Sequence, residues 1–520
     1  MNSIQNGDYA REIYRTEGSV RVEQEVILPD YCPDIMRLIR VEMTPVFEKS
    51  RAYLQDNILV VETSGRAEFT ALYSDGDGVE SYSFTDSFNC TLKKDMGRGC
   101  MILPESLALS VTPISASVSP RVMSPRKLLA RGEIKMCVEV FANIGYSSYS
   151  PVEDMAASRV DVECEDKCIS RVVSSKSEDF TLSQEIKLPS SLPPCAKVLS
   201  CTANMCVDSV HPASDSASVF LTANFNVLYL SEETGEREAE LVSFCQPIEV
   251  REVLECDDCA EDCICRITAS LKKPECGMLV DNYGENRAFS LDLPYTLNCT
   301  VFENLETPLV SDVYGVGCNA SCERSGEEFM RYIGTLSESC PLREKLLVKS
   351  DGALLKGACA VAVVKGAGVN SEGVWADVML EVSAVEIGEE GMAKSFSDSL
   401  EMRIPLNVPE SIMQKTSPEL LSCDVHIIPS WVDMQVSSGD VDLSGELAVR
   451  VGLWEKCPSD FVSGVEFSER ETRQGKTVFY YPTCDDTLWD VGRRYGVERA
   501  KIREANGFEG DELPAVIRIP

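Results

Sequence analysis

The sequence predicts a mainly β protein: three tandem β-rich repeat domains followed by a small C-terminal α+β domain in the order βααβ. Three observations predict it. Similar marker stretches recur at long, nearly even intervals, as SFTDSFNCTL from Ser83, SFCQPIEV from Ser243 and SFSDSLEMRI from Ser395, 160 and 152 residues apart. Inside the markers apolar and polar residues alternate with the two-residue period of a half-buried strand. In the last 45 residues that period gives way to helical spacing between two short strand-like runs.

Taken in order, the chain begins with MNSIQNGDYAREIYRTEGSV, which has no apolar core of the kind a secretory signal needs, so an intracellular protein is expected. Leu28-Pro29 and Cys32-Pro33 then lead into DIMRLIR, and Pro33 to Ile39 fits a short helical turn with proline in its first turn. Leu188-Pro189 with Pro193-Pro194-Cys195 repeats this opening, and Cys340-Pro341 before LREKLLV is read as its third copy. Strand-like runs precede each Ser-Phe marker: FTALYSD from Phe69, FNVLYLS from Phe225 and VMLEVSA from Val378. Closing strands follow, as GEIKMCVEVF from Gly132, LPYTLNCTVF from Leu293 and GELAVRVGLW from Gly445. The repeats are placed at residues 20–146, 178–304 and 330–456. The polar stretches 147–177, 305–329 and 457–475 read as linkers, the last allowing the terminal domain to swing.

The terminal domain spans residues 476–520. Thr477 to Tyr481 is a β-branched and aromatic run stopped by Pro482. A helix is expected from Thr487, with Asp486 as its N-cap and Leu488, Val491, Gly492 and Tyr495 on one face, ending at Gly496. A second helix from about Glu498 turns Ile502 and Ala505 inward and stops at Asn506-Gly507, a pair suited to a left-handed cap. Val516 to Ile519 returns as the partner strand.

The net charge of −35 and a sequence pI near 4.5 argue against nucleic acid or an anionic membrane as the main partner. The terminal domain is nearly neutral, so the acid sits on the rest of the chain. The longest uncharged apolar-leaning stretch, Ser216 to Ser231, is too short and too polar for a spanning helix, and no transmembrane segment is predicted. Twenty-three scattered cysteines without a signal peptide suggest free thiols in a reducing compartment. Cys256, Cys259, Cys263 and Cys265, in CDDCAEDCIC, have thiols enough for a zinc site, but four ligands in ten residues leave no loop for a metal to close. Reduced thiols on a loop and a strand are the other reading. His211 and His426, the only histidines, stand apart from any Ser or Cys arrangement of a hydrolase, and there is no GxxxxGK[ST] phosphate loop. No catalytic residue and no cofactor are therefore assigned.

Asp486, Thr487, Leu488, Trp489, Asn506, Ile519 and Pro520 stand in the order and spacing of a LysM domain, which the terminal segment resembles. Asp485 departs from the pattern, because the family prefers glycine there. Tandem β-rich repeats with an LP…CPDI opening and a GEI…VEV closing strand, followed by one such domain, are similar to clostridial spore-coat morphogenesis proteins of the SipL type. That resemblance implies a non-enzymatic scaffold of the mother-cell cytoplasm, recruited to the forespore surface, whose LysM domain engages the basement-layer ATPase of the coat. Peptidoglycan is the alternative ligand. The candidate contact residues, for a protein partner or a glycan, are Asp485, Asp486, Thr487, Leu488, Trp489, Arg493, Arg494, Phe508 and Gly510.

Overall fold

A computed structural model describes residues 4–76, 78–97, 99, 101–150, 160–233, 238–281, 283–351, 354–388, 392–469, 477–510 and 512–520. The fold is mainly β, in several small sheets whose strands all pair antiparallel. Residues 4–149 hold β1 (Ile4–Ile27), β2 (Arg37–Gln55), β3 (Ile58–Ser74), β4 (Val79–Asp95), β5 (Ala108–Ser124) and β6 (Lys127–Tyr149). Their sheets run β1-β6-β5 and β2-β3-β4. Residues 160–315 hold β7 (Val160–Lys187), β8 (Cys195–Ala213), β9 (Ser216–Ser231), β10 (Leu241–Glu255), β11 (Ile264–Leu271), β12 (Glu275–Leu279) and β13 (Ala288–Gly315). Here β13 pairs with β7, β11 and β12, and the second sheet is β10-β9-β8. Residues 318–469 hold β14 (Cys318–Lys345), β15 (Leu354–Asn370), β16 (Gly373–Ile387), β17 (Ala393–Leu406), the helical turn α1 (Glu410–Met413), β18 (Leu421–Ser437) and β19 (Asp440–Glu469), in sheets β14-β19-β18 and β15-β16-β17.

In each segment the first strand pairs with the last, so both ends of the segment are tied into one sheet. The closing strands β6, β13 and β19 and the runs β3, β9 and β16 are the central strands, covered on both edges, which is why they carry the most regular apolar alternation. Each segment fills the space between its two sheets: Val22, Ala130 and Ile134 meet Met43, Phe69 and Phe88 in the first, and Phe289 meets Phe225 and Tyr229 in the second. Tight two-residue hairpins join neighbours where the chain supplies residues tolerant of positive φ, Asp56-Asn57 between β2 and β3 and Ser438-Gly439 between β18 and β19. Prolines sit on edge strands, at Pro45, Pro113, Pro212 and Pro429, where a missing N–H breaks no ladder and blocks pairing with another chain. Pro294, on central β13, lies opposite the gap between β11 and β12, where no neighbouring strand asks for its N–H.

In the three segments four readings of the sequence are corrected. The stretches read as linkers carry long strands: β7 runs through 160–177, β13 and β14 through most of 305–329, and β19 through 457–469. Residues 151–159 and 470–476 lie outside the described ones. Pro33 to Ile39 is not helical. Ile35 is buried, and Arg126 instead holds the loop open by donating to the carbonyls of Leu28 and Pro29 at 3.1 and 2.6 Å. Arg287 does the same at Pro189 and Leu192. Cys340-Pro341 lies inside β14 and is no counterpart of Cys32-Pro33, because the loop that follows the first strand comes only after Leu346. Finally, Ser81-Tyr82 and not Ser83-Phe84 matches Ser243-Phe244 and Ser395-Phe396. Leu72, Leu228 and Val385 lie opposite Ser81, Ser243 and Ser395, and those three apolar side chains meet in one cluster.

That cluster joins all three segments, and a second one does so through the closing strands. The alternation of β6 stops at Val138, and the seven residues from Val138 to Ile144 are buried in succession. The outward face has been covered by the other segments. At the matching place β13 presents Phe302 and β19 presents Trp454, and these meet Phe141 in a triangle with ring centroids 5.1 to 5.7 Å apart. Tyr332 adds a fourth ring 4.5 Å from Trp454. Asn143 seals one joint by bonding both the N–H and the carbonyl of Val172, and Asn304 donates to the Tyr332 carbonyl at the next.

After the third segment come β20 (Val478–Tyr480), α2 (Leu488–Tyr495), α3 (Arg499–Asn506) and β21 (Ile517–Ile519), with β20 paired to β21 around a core of Leu488, Val491, Ile502, Ile517 and Ile519. This is the expected βααβ order. Thr487 is the N-cap of α2 in a reciprocal box with Asp490, so the helix begins one residue later than Asp486 capping would place it. Gly496 and Gly507 close the two helices in left-handed conformation.

Candidate functional site

The proposed contact residues of the terminal domain divide into those that build it and those that face outward. Asp486 builds the entry turn: its Oδ2 accepts from the Tyr480 hydroxyl at 2.6 Å and the Thr483 N–H at 2.7 Å, and these bonds hold its carboxyl below the usual carboxylate range. Thr487 caps, Leu488 is core, and Phe508 packs against that core. Arg494 lies over the Tyr480 ring and donates to its hydroxyl, inside the domain. Gly510 adopts φ +86°, and its carbonyl accepts from Arg503. Asp485 is exposed.

Trp489 and Arg493 are different, because both meet the body of the chain. Asp312 Oδ2, on β13, accepts from Trp489 Nε1 at 3.2 Å and Arg493 Nη1 at 2.7 Å. The Tyr314 ring lies edge-on to Trp489 at 4.7 Å. Arg499, whose guanidinium lies over the Trp489 ring at 4.7 Å, makes a two-pronged pair with Asp161 on β7 at 3.1 and 3.0 Å, and its own backbone N–H adds a third bond at 2.9 Å. Burial alone would raise the Asp161 carboxyl, but Arg499 and Tyr314 hold it lower than usual. Gly492 is glycine for a packing reason: a Cβ there would stand 2.3 Å from the Tyr314 hydroxyl. Among the described residues, then, two of the nine candidates bond to the body, and the residue with the most bonds to it, Arg499, is not among the nine. Asp161, Asp312 and Tyr314 were hidden because they fall in stretches read as linkers.

The four cysteines of CDDCAEDCIC are buried within the core of the second segment. Cys259 lies 3.9 Å from Cys265, while Cys256 is 3.7 Å from Cys299, a fifth thiol on β13. Burial pushes the Cys259 thiol up to about 12. Cys265 also meets Cys299, so the sulfurs run as a linked row, Cys259, Cys265, Cys299 and Cys256, and are not gathered around one point. Alkylation of the native protein should reach Cys164, Cys245 and Cys484, the exposed cysteines among those described, and should reach Cys256, Cys259, Cys263 and Cys265 only after unfolding, as mapped by mass spectrometry. About one zinc per chain on elemental analysis, lost on Cys259→Ser, would instead establish a metal centre.

A cavity of about 1420 Å³ lies among the three segments, lined in part by Arg15, Arg40, Glu42, Arg266, Asp424 and Arg450. Matching register positions meet beside it, Ser110 opposite Glu139, Arg266 opposite Thr300, and Asp424 opposite Gly452, and of these Arg266, Asp424 and Gly452 line the cavity. Arg266 Nη2 reaches Glu139 at 2.7 Å and Asp424 at 2.6 Å, so one guanidinium of the second segment bridges carboxylates of the first and third. Gly452 makes room, since a Cβ there would lie 2.0 Å from Asp424 Oδ1. Burial by itself would raise the Asp424 carboxyl, yet Arg266 and His426 hold it well below the usual carboxylate range. Glu139, Asp424 and His426 could otherwise gather around a metal ion. Arg266 fills the position such a cation would take.

Among the described residues no helix is long and apolar enough to cross a membrane. No family model, no curated protein and no solved structure matches the chain.

Proposed function

We propose that this chain is a non-enzymatic scaffold for spore-coat assembly, made of three copies of one β-rich unit and a C-terminal LysM domain that docks to the basement-layer morphogenetic ATPase from the mother-cell cytoplasm. One observation carries the protein-binding part of this reading: the Trp489, Arg493 and Arg499 face is already bonded to carboxylates and an aromatic ring of protein. Tryptophan and arginine supply much of the energy in protein interfaces, about 2 kcal/mol or more at a hot spot. The common strand order of 4–149, 160–315 and 318–469 supports the three-copy reading. The engagement of Glu139 and Asp424 with Arg266, with His426 beside Asp424, supports a structural role for those groups.

Pull-down from sporulating cells tests it. The full chain is expected to recover the ATPase, and Arg493→Glu with Trp489→Ala to lose most of that recovery while circular dichroism shows the helices retained. If recovery is unchanged by these substitutions and soluble peptidoglycan fragments compete the partner away, the domain reads sugar and the proposal fails.

A further inference from the structure

We infer that the body of this chain is a built-in competitor for the contact face of the terminal domain, and that the partner this face fits presents carboxylates beside an aromatic side chain. The inference rests on the protein-contact reading above.

The receptor on the body is a constructed one. Tyr314 and Asp161 are direct cross-strand partners on β13 and β7, and Asp312 lies two residues from Tyr314 on the same strand face. A register shift between Val310 and Asp312 re-aims the strand just before these residues. Arg324 and the Val313 N–H hold the other oxygen of Asp312, at 3.1 and 3.0 Å, leaving Oδ2 to the visiting domain. The Tyr314 hydroxyl is 2.7 Å from Asp161 and 3.0 Å from the Val497 carbonyl, and the Gly317 N–H donates to the Gly496 carbonyl at 3.1 Å. Acid, ring and acid on the body thus meet arginine, tryptophan and arginine on the domain.

The dock is also small. The terminal domain keeps its own core of Leu488, Val491, Ile502, Ile517 and Ile519, to which Trp489 does not belong, so it need not unfold to leave. Arg493 remains more than half exposed, and ion pairs so open to solvent are weak. A partner offering the same groups over a wider surface would displace the body. Its apparent affinity falls in proportion to the fraction of domains left undocked.

The test uses the full chain with Asp161→Asn and Asp312→Asn, changes confined to the body. Hydrogen exchange at the Gly317 and Arg499 amides should speed up at least about tenfold, while Val491 and Ile502 amides stay protected. A random glutamate–tyrosine copolymer, used as the probe, should bind this variant at least about tenfold more tightly than the unaltered chain, and Arg499→Glu should abolish that gain. Tyr314→Ala should reproduce the opening. Equal exchange in the variant and the unaltered chain overturns the dock. Faster exchange with equal copolymer binding overturns the competition. Faster exchange with binding of a chitin oligosaccharide and none of the copolymer leaves the dock standing, but overturns both the partner chemistry and the protein-contact reading of function.

Discussion

Replacing Arg266 by methionine should cost the folded chain about 3–5 kcal/mol near neutral pH, because it leaves Glu139 and Asp424 charged and buried with their shared cation gone. The pH dependence carries the sharper signature. In the unaltered chain the depressed folded-state pKa of Asp424 contributes stability that is present above the unfolded carboxyl pKa of about 4 and is lost as pH falls below it toward the folded value. Without Arg266, burial dominates and the folded-state pKa rises above the unfolded one. Protonation then favours the folded state, so the penalty should shrink as pH falls from neutral toward about 4. Urea unfolding at several pH values measures both the size and the sign. Removing the carboxylates as well, with Glu139→Gln and Asp424→Asn, should recover part of the loss; a deficit unchanged by that triple substitution would mean the ion bridge is not its source.

Trp454→Ala should be comparably damaging, about 3–5 kcal/mol, since it empties the corner of the aromatic triangle that also contacts Tyr332. The half-exposed Trp431 is the control, and its replacement by alanine should cost much less. The kind of loss matters as much as its size. Phe141, Phe302 and Trp454 come from different segments, so the alanine variant should separate the unfolding of 4–149 from that of 318–469, visible as fluorescence and circular dichroism transitions that no longer coincide. Coincident transitions with a small shift would show the triangle to be incidental. Arg266 lies 5.6 Å from the Phe141 ring, so the two sites should not be additive.

The central strands and the terminal βααβ domain were legible in the sequence, and for one physical reason: both are short-range. A strand with one face on a core writes a two-residue period into its own residues, as Leu128, Ala130, Ile134, Met136 and Val138 do, and a capped helix declares itself within four residues, as Thr487 and Asp490 do. The outer strands wrote a weaker pattern. In β7 four successive residues, Glu163 to Asp166, face solvent, and in β14 the places between Cys318 and Phe329 are exposed or only half covered, so these stretches resembled linkers.

What the tertiary structure alone decided are the meetings between residues far apart in the chain. Pairing of β1 with β6 joins Tyr9 to Ile144, and no local period reports it. The fully buried runs at Val138 to Ile144, Cys299 to Phe302 and Val451 to Trp454 do leave a trace, an aromatic residue at an outward position in each closing strand. Its meaning appears only when three such residues meet. Likewise the basic residues of the terminal domain could be read, but not that Arg499 would take Asp161 from 338 positions away while Arg494 would lie over Tyr480 of its own domain. Charge pattern tells which sign a surface carries; which opposite charge it finds is settled by packing, because a desolvated pair depends on angstrom-scale geometry that the linear order of residues does not contain.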